Sequence, residues 1–374
     1  MRIMLAPNAM KGSLSASDFA NAMSEGLLMA DDTLEIVKHP LADGGDGTSE
    51  LLVNALGGFF IQVSVHDPLG RVINSRYGWL PQTKCAIIEM AEASGLNLLA
   101  AEELNPMVAS SRGTGELVLA AVKKGAQKII LGIGGSATVD GGIGLLMALG
   151  FILLNHSGEA VEEGGNGLIQ IAHILRDKVI PDILACEIVI ATDVKNPLLG
   201  AEGAAAVYGP QKGATPQMVK NLELGLSNFI GVLEQTSQKE LVKLVGGGAA
   251  GGLALPLIAL LNARMERGAE LIIELLGVMD DLRSCDLVIT GEGCIDQQTC
   301  QGKGPAVIAH AARIAGIPVI AIGGAINPEA SYLFDGIFSI TSGPVTLEDA
   351  IINAYEMTKS LSFQLGKLLN AFTK

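Results

Sequence analysis

Strand-length apolar runs alternate with amphipathic helical segments at the beginning of the chain, and the same alternation returns at its end. Residues 2–6 and 34–38 are typical of short buried strands. Between them, residues 15–29 place apolar side chains at helical spacing behind the capping candidate Ser15. A second helix is expected to end at Leu56. Strands that alternate with helices in this way predict a parallel sheet.

The middle of the chain interrupts this alternation. From about residue 60 to residue 90, three strand-like runs follow one another, and the turn sequences at 67–70 and 80–82 leave no room for helices between them. We therefore expect antiparallel strands there. Alternation then resumes, with expected helices at 113–124, 144–149, 216–235 and 347–372 and expected strands at 128–131, 187–192, 286–290, 318–322 and 336–340.

A parallel sheet that resumes after a long interruption predicts a discontinuous domain. The expected fold class is α/β with two lobes, in which a Rossmann-like parallel-sheet domain is formed by residues 1–60 and 283–374. A second, mixed α/β domain over residues 61–282 interrupts it. With 374 residues, the chain is long enough to bury two such cores. Two facing lobes would form a cleft, where ligands commonly bind.

The charge balance and the cysteines exclude several classes of function. The chain carries 25 basic and 39 acidic residues, a net charge of −14, which disfavours a nucleic-acid binder. Its longest apolar runs are broken by Pro256, Asp140 or glycines, and residues 1–7 lack the apolar stretch of a signal peptide, so we expect neither a membrane partner nor export. Five cysteines without a C-x-x-C spacing fit reduced thiols and a cytoplasmic location.

Two glycine-rich segments share one pattern. Residues 43–47 and 140–144 both read Asp-Gly-Gly-x-Gly, each directly before a predicted helix. Glycines there allow backbone N–H groups to approach an anion closely. The aspartate would suit a metal-bridged phosphate or a substrate hydroxyl. It would equally suit a helix N-cap, and capping alone remains the alternative for each copy.

A third glycine-rich segment follows the expected strand at 128–131. Residues 132–137 fit the dinucleotide-binding pattern G-x-G-x-x-A, but residues 246–251 fit the related pattern G-x-G-x-x-G equally well, and no acidic residue follows at the spacing of a ribose contact. A hydride-transfer enzyme therefore has little support. The P-loop pattern G-x-x-x-x-G-K-S/T is absent, so an ATP site here would belong to another class.

Charged residues follow several expected strands, at the edge where parallel sheets bind ligands. Glu292 and Asp296 could hold Mg²⁺ and Lys303 could neutralise phosphate, although a plain turn with a surface lysine has the same residues. Asp193, after another expected strand, is a candidate base or metal ligand. Lys11, in the first loop, could face the cleft, although a lone loop lysine is usually only solvated.

In their order along the chain, these and further motifs resemble the bacterial glycerate kinase family (glycerate kinase type I), whose members phosphorylate glycerate with ATP and generally form 2-phosphoglycerate. The resemblance spans nearly the whole chain. It is carried by residues 6–15, Ala-Asp-Gly-Gly-Asp-Gly-Thr at 42–48, Glu-Met-Ala-Glu-Ala-Ser-Gly-Leu at 89–96, Gly-Thr-Gly-Glu-Leu at 113–117, Gly-Ile-Gly-Gly-Ser-Ala-Thr-Val-Asp-Gly-Gly at 132–142, Asp-Val-Lys-Asn-Pro-Leu at 193–198, Gln-Lys-Gly-Ala at 211–214, and Thr-Gly-Glu-Gly at 290–293 with Asp296.

The resemblance implies the two-lobed α/β fold, ATP and Mg²⁺ as cofactors, and the small acid D-glycerate as substrate. A homo-oligomer is left open. A closing cleft would place the γ-phosphate in line with the acceptor hydroxyl and exclude water. We expect the ATP phosphates to be held by Lys303 together with the glycine segment, through Gly132, Gly134, Gly135 and Ser136.

The remaining roles belong to the same hypothesis. Asp193 or Asp296 would bind Mg²⁺, and Lys11 would stabilise the transferring phosphoryl group. Asp43 or Asp193 would orient the glycerate hydroxyl and take its proton. A cation or a helix N-terminus is needed for the glycerate carboxylate. The candidates for that role are Arg112, Gly113, Thr114 and Gly115.

Two positions depart from the family pattern. Asn8-Ala9-Met10 stands where the family usually has Asp-Ser-Phe, and Cys294 stands where it usually has arginine. An arginine there could bind a carboxylate or a phosphate, and a thiol cannot do so electrostatically. Two alternatives therefore stay open: a non-catalytic regulator that binds a small acid or a nucleotide on the same fold, and a kinase for a related hydroxy acid.

Overall fold

The two ends of the chain fold together, and the middle forms a second compact unit. In this computed structural model the described residues are 1–42, 44–45, 47–297 and 299–373, without the side chains of Gln301, Ser331 and Thr373. Unit 1 comprises Met1–Asp43 and Ala269–Lys374, and unit 2 comprises Gly44–Gly268. The predicted domains, 1–60 with 283–374 and 61–282, stay a prediction about independently folding parts.

Unit 1 is built on a parallel sheet with the strand order β13-β12-β11-β1-β2. The two chain ends pair directly, since Ile3 of β1 lies opposite Leu287 of β11. The strands are β1 (Arg2–Pro7), β2 (Glu35–Lys38), β11 (Leu287–Ile295), β12 (Val319–Ile326) and β13 (Gly336–Ser339). The helices are α1 (Ala16–Ala30), α10 (Gly268–Leu275), α11 (Val278–Leu282), α12 (Gly304–Ala315), α13 (Leu347–Ile352) and α14 (Ala354–Thr373).

Helix α1 begins where the sequence predicts, because the Ser15 hydroxyl accepts a hydrogen bond from the Asp18 amide at 3.0 Å. Its buried face includes Phe19, Met23 and Leu27. It also packs closely on α14: a Cβ on Gly26 would lie 2.2 Å from the carbonyl oxygen of Lys359, so only glycine fits there.

The closing helix differs from the prediction of one segment over 347–372. It is divided into α13 and α14 at Asn353, which has φ −100° and ψ 12°. The side-chain amide of Asn353 donates to the carbonyl oxygen of Asp349 at 2.9 Å. Asparagine competes in this way with helical backbone bonds, and a pattern of apolar spacing alone does not reveal that competition.

Unit 2 has a mixed sheet with the strand order β10-β9-β6-β5-β4-β3. The antiparallel part is confirmed in β3 (Phe59–His66), β4 (Val72–Leu80) and β5 (Cys85–Glu89). The parallel part continues from β5 through β6 (Lys128–Gly132), β9 (Glu187–Ala191) and β10 (Arg264–Glu266), and a separate antiparallel pair joins β7 (Ile152–Leu154) and β8 (His173–Leu175). The helices are α2 (Thr48–Ala55), α3 (Ala91–Ser94), α4 (Arg112–Lys123), α5 (Ile143–Ala148), α6 (Pro181–Ala185), α7 (Ala204–Tyr208), α8 (Pro216–Ser237) and α9 (Ala254–Leu260).

Each unit buries its own apolar side chains. In unit 2 one cluster includes Leu131 of β6, Leu145 of α5 and Phe229 of α8. In unit 1 the sheet has a cluster on each side, one with Met4 and the other with Ile3. Successive residues of a strand point to opposite faces, so β1 is covered on both faces, as in the parallel-sheet architecture that the sequence predicts.

Strand β11 is longer than the expected strand at 286–290. It continues to Ile295, and Cys294 still pairs with Ala325 of β12. A Cβ on Gly291 would lie 2.2 Å from the carbonyl oxygen of Ile322, so the glycine allows the two backbones to approach. The expected end of this strand at residue 290 is therefore wrong, because the ladder continues to Ile295.

The α/β fold class is confirmed by the parallel sheet of unit 1 and the mixed sheet of unit 2. Among the described residues, no helix combines the length and the apolar composition that crossing a membrane takes.

Candidate active site

The glycine segment at 132–137 and Asp193 follow neighbouring strands of unit 2. Gly132, the last residue of β6, lies opposite Ala191, the last residue of β9. The backbone N–H of Thr192 then donates to the carbonyl oxygen of Glu266 at 3.1 Å, and Asp193 follows, half-buried. The structure thus brings two of the predicted site elements to one edge of the sheet, the edge where parallel sheets bind ligands.

Gly44 and Gly45, which belong to the first Asp-Gly-Gly-x-Gly segment, lie against this glycine loop. A Cβ on Gly132 would lie 2.5 Å from the carbonyl oxygen of Gly44, and a Cβ on Gly134 would lie 2.9 Å from the Cα of Gly45. Gly44, with φ +82°, also lies close to the carbonyl oxygen of Ala191. Side chains at these positions would separate the two loops. Asp43 lies outside the described residues, so its predicted role as a base stays a prediction.

Both helix N-termini beside the Asp-Gly-Gly-x-Gly segments hold carboxylates of the chain itself. At the start of α2, Glu89 accepts hydrogen bonds from the backbone N–H groups of Gly47, at 3.2 Å, and Ser49, at 2.6 Å. At the start of α5, Asp140 accepts from the N–H groups of Gly142, at 3.1 Å, and Gly144, at 3.3 Å. Side chains of the protein itself therefore cap both helix ends. For the segment at 140–144, the structure agrees with the alternative that its aspartate is a helix cap.

Burial affects both capping carboxylates. Asp140 has no exposed surface, and it also accepts from the Ser111 hydroxyl at 2.7 Å. Loss of solvation raises the pKa of Asp140 and the pKa of Glu89, while their hydrogen bonds act in the opposite direction. Glu89 is a residue whose role sequence reasoning missed, because its partners at 47 and 49 are distant in sequence.

Lys212 is the second group that sequence reasoning missed. Its side chain is buried behind the glycine loop, where its ammonium donates to the Ser136 hydroxyl at 2.8 Å and to the Thr138 carbonyl oxygen at 2.7 Å. Burial lowers the pKa of Lys212 to about 7, although the charge of Asp140 acts to raise it. The only sequence signal was its place in the motif at 211–214.

The predicted carboxylate-binding group around Arg112 is engaged inside unit 2. The Arg112 guanidinium donates to Glu163 at 2.6 Å. A Cβ on Gly113 would lie 1.9 Å from the carbonyl oxygen of His66, and a Cβ on Gly115 would lie 2.6 Å from that of Leu145. The buried Thr114 hydroxyl donates to Ser94. These contacts give the four residues a packing role, and their assignment to glycerate stays a prediction.

In unit 1, four predicted residues lie near the end of β11. The Lys303 ammonium donates to the buried Glu292 carboxylate at 3.2 Å, and burial raises the pKa of Glu292. Asp296 accepts from the backbone N–H of Thr299 at 3.3 Å. Lys11 is exposed in the loop after β1, and its backbone lies beside Gly293. Lys303 is thus already paired within its unit.

Each carboxylate that is predicted to bind Mg²⁺ would do so as a single protein ligand. Within the part of the chain that the structure describes, no three His, Cys, Asp or Glu side chains are grouped to hold a metal ion. Mg²⁺ in phosphoryl-transfer sites is commonly bound by one or two carboxylates together with substrate phosphates. A single carboxylate beside the glycine loop, as at Asp193, is compatible with that mode of binding.

Comparisons with known proteins agree over the whole length of the chain. The sequence model of the glycerate kinase family matches residues 3–370. A glycerate kinase of Bacillus subtilis (strain 168) is 41% identical over 360 residues, 95% of this chain and 94% of that protein. A glycerate 2-kinase of Escherichia coli (strain K12) is 40% identical over 360 residues, with the same shares covered.

A solved structure shows the same fold. The crystal structure of a protein from Salmonella typhimurium LT2, provisionally assigned as glycerate kinase 2, is similar with a TM-score of 0.89 and 41% sequence identity. The match covers 100% of this chain and 99% of that one. The predicted resemblance is confirmed, and the chain belongs to the glycerate kinase family.

Proposed function

We propose that the protein transfers the γ-phosphate of ATP to the 2-hydroxyl group of D-glycerate, which forms 2-phosphoglycerate and ADP. Membership of the glycerate kinase family implies ATP as the phosphoryl donor and a small organic acid as the acceptor. The similar protein of Escherichia coli is named a glycerate 2-kinase. The structural observation that supports the proposal most is the pairing of Gly132 with Ala191, because the glycine loop and Asp193 follow these two residues.

The glycine loop is the proposed site for the ATP phosphates. Phosphoryl transfer depends mainly on positioning and on neutralising charge, and closely spaced backbone N–H groups can do both. Gly132, Gly134 and Gly135 keep this backbone free of side chains, and Ser136 adds a hydroxyl. Lys303 remains a second candidate for the same phosphates, but it would then share its charge with Glu292, which it contacts at 3.2 Å.

Asp193 or Asp296 is the proposed Mg²⁺ ligand. When bound, Mg²⁺ would neutralise charge on the phosphate oxygens during transfer. The carboxylate oxygens of Asp193 are hard ligands of the kind Mg²⁺ prefers, and they follow a buried strand beside the glycine loop. One oxygen of Asp296 is already held by the Thr299 amide, which would fix the orientation of the other.

The acceptor hydroxyl requires a base within hydrogen-bond reach. We assign this role to Asp193 or Asp43, and the stabilisation of the transferring group to Lys11. The glycerate carboxylate is assigned to Arg112 with Gly113, Thr114 and Gly115. That assignment requires Arg112 to bind the substrate while it also contacts Glu163 at 2.6 Å. The proposed location is the cytoplasm, which the free thiols of all five described cysteines support.

The activity is tested with the purified full chain, MgATP and D-glycerate. We expect release of ADP and a phosphorus NMR signal of 2-phosphoglycerate. A 3-phosphoglycerate signal would contradict the regiochemistry. Turnover with another hydroxy acid alone would identify a related kinase, and binding without ADP release would identify a non-catalytic protein.

The role of Asp193 is tested with Asp193→Asn, which keeps the shape of the side chain and removes its charge. Loss of a positioned base typically lowers the rate by about 10²–10⁴-fold, and we expect kcat to fall within that range. Asp177→Asn, at an exposed position, is the matched control and should leave kcat unchanged. Near-native turnover of Asp193→Asn would show that Asp193 is neither base nor essential metal ligand.

A further inference from the structure

Lys212 is an unusual residue to bury. Its relative exposure is 2%, and lysines are almost never buried to this extent unless they are paired. Taking an ammonium group out of water is costly, and replacing a whole buried ion pair with well-packed apolar side chains is often neutral or stabilising. Packing alone therefore does not account for a lysine at this position.

The side-chain hydrogen bonds of Lys212 to described residues go to the glycine loop and to the segment that follows it. The ammonium donates to the Ser136 hydroxyl and to the Thr138 carbonyl oxygen, which lie on the first part of this segment. The negative charge of Asp140 acts to raise the pKa of Lys212, against the larger effect of burial. Asp140 in turn holds the backbone N–H groups of Gly142 and Gly144. Two buried groups of opposite charge therefore hold the segment from 136 to 144.

An ammonium group has three protons, and the hydrogen bonds of Lys212 to described residues use two of them. The Lys212 nitrogen lies 2.8 Å from the hydroxyl of Ser136, a residue of the glycine loop, and the negative charge of a bound nucleotide would favour its protonated form. In an environment of low dielectric constant, such a charge acts on a nearby anion more strongly than a solvated lysine would. Lys212 is therefore linked to the loop both by a hydrogen bond and by its charge.

We propose that Lys212 is a positioning residue for nucleotide binding: it holds the glycine loop in its binding shape and gives that loop a positive charge for the ATP phosphates. The inference rests on the proposed function, since it requires that the loop binds these phosphates. The glycine loop at 132–137 contains no charged side chain, and Lys212 would supply one. Lys212 acts through Ser136 and Thr138, so it is expected to affect binding of the nucleotide more than binding of the acceptor.

The test compares Lys212→Met with the wild type and with Lys220→Met. Methionine has nearly the same length without the charge, and Lys220 is an exposed lysine on α8 that serves as the matched control. For Lys212→Met we expect the Kd of MgATP, measured calorimetrically without acceptor, to rise at least tenfold. The KM of D-glycerate should change less than twofold. The Tm at pH 7 should fall, because Ser136, Thr138 and Asp140 lose a buried partner, so binding is measured at a temperature at which the variant is folded. Lys220→Met should match the wild type.

The results distinguish the inference from the proposed function. If the wild type binds MgATP, and if the folded Lys212→Met protein binds it equally well or loses affinity for MgATP and for D-glycerate alike, the inference is wrong and the proposed function stands. If the wild type neither binds MgATP nor releases ADP, the proposed function fails and the inference fails with it.

A second variant keeps the test decisive if Lys212→Met does not fold. Lys212→Gln retains hydrogen-bond donors and removes the charge. We expect it to fold and to bind MgATP at least threefold more weakly than the wild type. Wild-type affinity in a folded Lys212→Gln protein would overturn the electrostatic role.

Discussion

At the scale of single residues, buried ionisable side chains hold the loops of the candidate site in place. Lys212, Asp140 and Glu89 are all buried, and each is held by backbone groups or hydroxyls of the glycine-rich segments. Removing a partner from such a group leaves a desolvated charge, which costs more than the bond itself contributes. Substitutions of these residues or of their partners should therefore affect folding and binding together.

The pKa of Lys212 predicts how stability depends on pH. The folded chain has a pKa of about 7 at this lysine, against an ordinary value of 10.5. Between these values the unfolded chain binds a proton that the folded chain does not, so the contribution of Lys212 to the free energy of unfolding increases as pH rises. From pH 7 to pH 9 the wild type should gain about 2 kcal/mol relative to Lys212→Met, measured by urea unfolding. A difference independent of pH would contradict a lowered pKa.

Lys212 also shows why part of the site could not be predicted from the sequence. It lies in a short turn of 3₁₀-helix, Pro210–Lys212, which has no apolar periodicity to mark it as buried. Its partner Ser136 is 76 positions away along the chain. The glycine loop and Asp193 were predictable, because strand ends in a parallel sheet share one edge. The carboxylate caps and the buried cation depend on tertiary contacts.

Glycines determine how the loops of unit 2 meet at the scale of secondary-structure elements. The alternation of strands and helices and the antiparallel insertion were predictable, since both follow from apolar spacing and turn residues. The extension of β11 to Ile295 was not predictable, because glycines usually indicate turns. In β11, Gly291 instead allows close backbone contact, and in unit 2 Gly44 does the same beside β9.

Gly44 provides a matched test of this close contact. Both Gly44 and Gly70 have a positive φ, +82° and +81°, but a Cβ would lie 2.9 Å from the Ala191 carbonyl oxygen at Gly44 and would meet nothing within 4 Å at Gly70. Alanine in the left-handed region costs about 1 kcal/mol at either position. Gly44→Ala should lose at least about 1 kcal/mol more in urea unfolding, since a clash is added. It should also raise the KM of ATP, whereas Gly70→Ala should not.

Equal losses of stability in the two variants would show that the contact at Gly44 relaxes without cost. An unchanged KM of ATP in Gly44→Ala would show that the packing of the two glycine loops is not needed for nucleotide binding.

The whole molecule consists of two units with separate apolar cores. The large cluster of unit 2 draws its members from residues 61–265, and the two clusters of unit 1 draw theirs from the two ends of the chain. A unit that buries its own core is expected to fold by itself. This applies most directly to unit 2, because its chain is continuous.

Residues 44–268, expressed alone, should therefore unfold cooperatively. We expect a single thermal transition and a far-ultraviolet circular dichroism spectrum typical of an α/β protein, because the core of unit 2 lies within this segment. The same experiment tests the predicted boundaries, since a segment of residues 61–282 would lack helix α2 and should be less stable. A gradual transition of the 44–268 segment would show that unit 2 depends on the rest of the chain.

The position of Gly44 beside Ala191 has a consequence for engineering. Ala191 is paired with Glu266, and Gly268 follows two residues later. The first and last residues of the inserted segment therefore lie near each other, at the sheet edge that carries the glycine loop. Domain insertion is tolerated when the two ends of the inserted segment are close together, because they then fit into one turn of the host protein. Insertion of residues 44–268 into such a turn would carry the glycine loop, Asp193 and Lys212 with it.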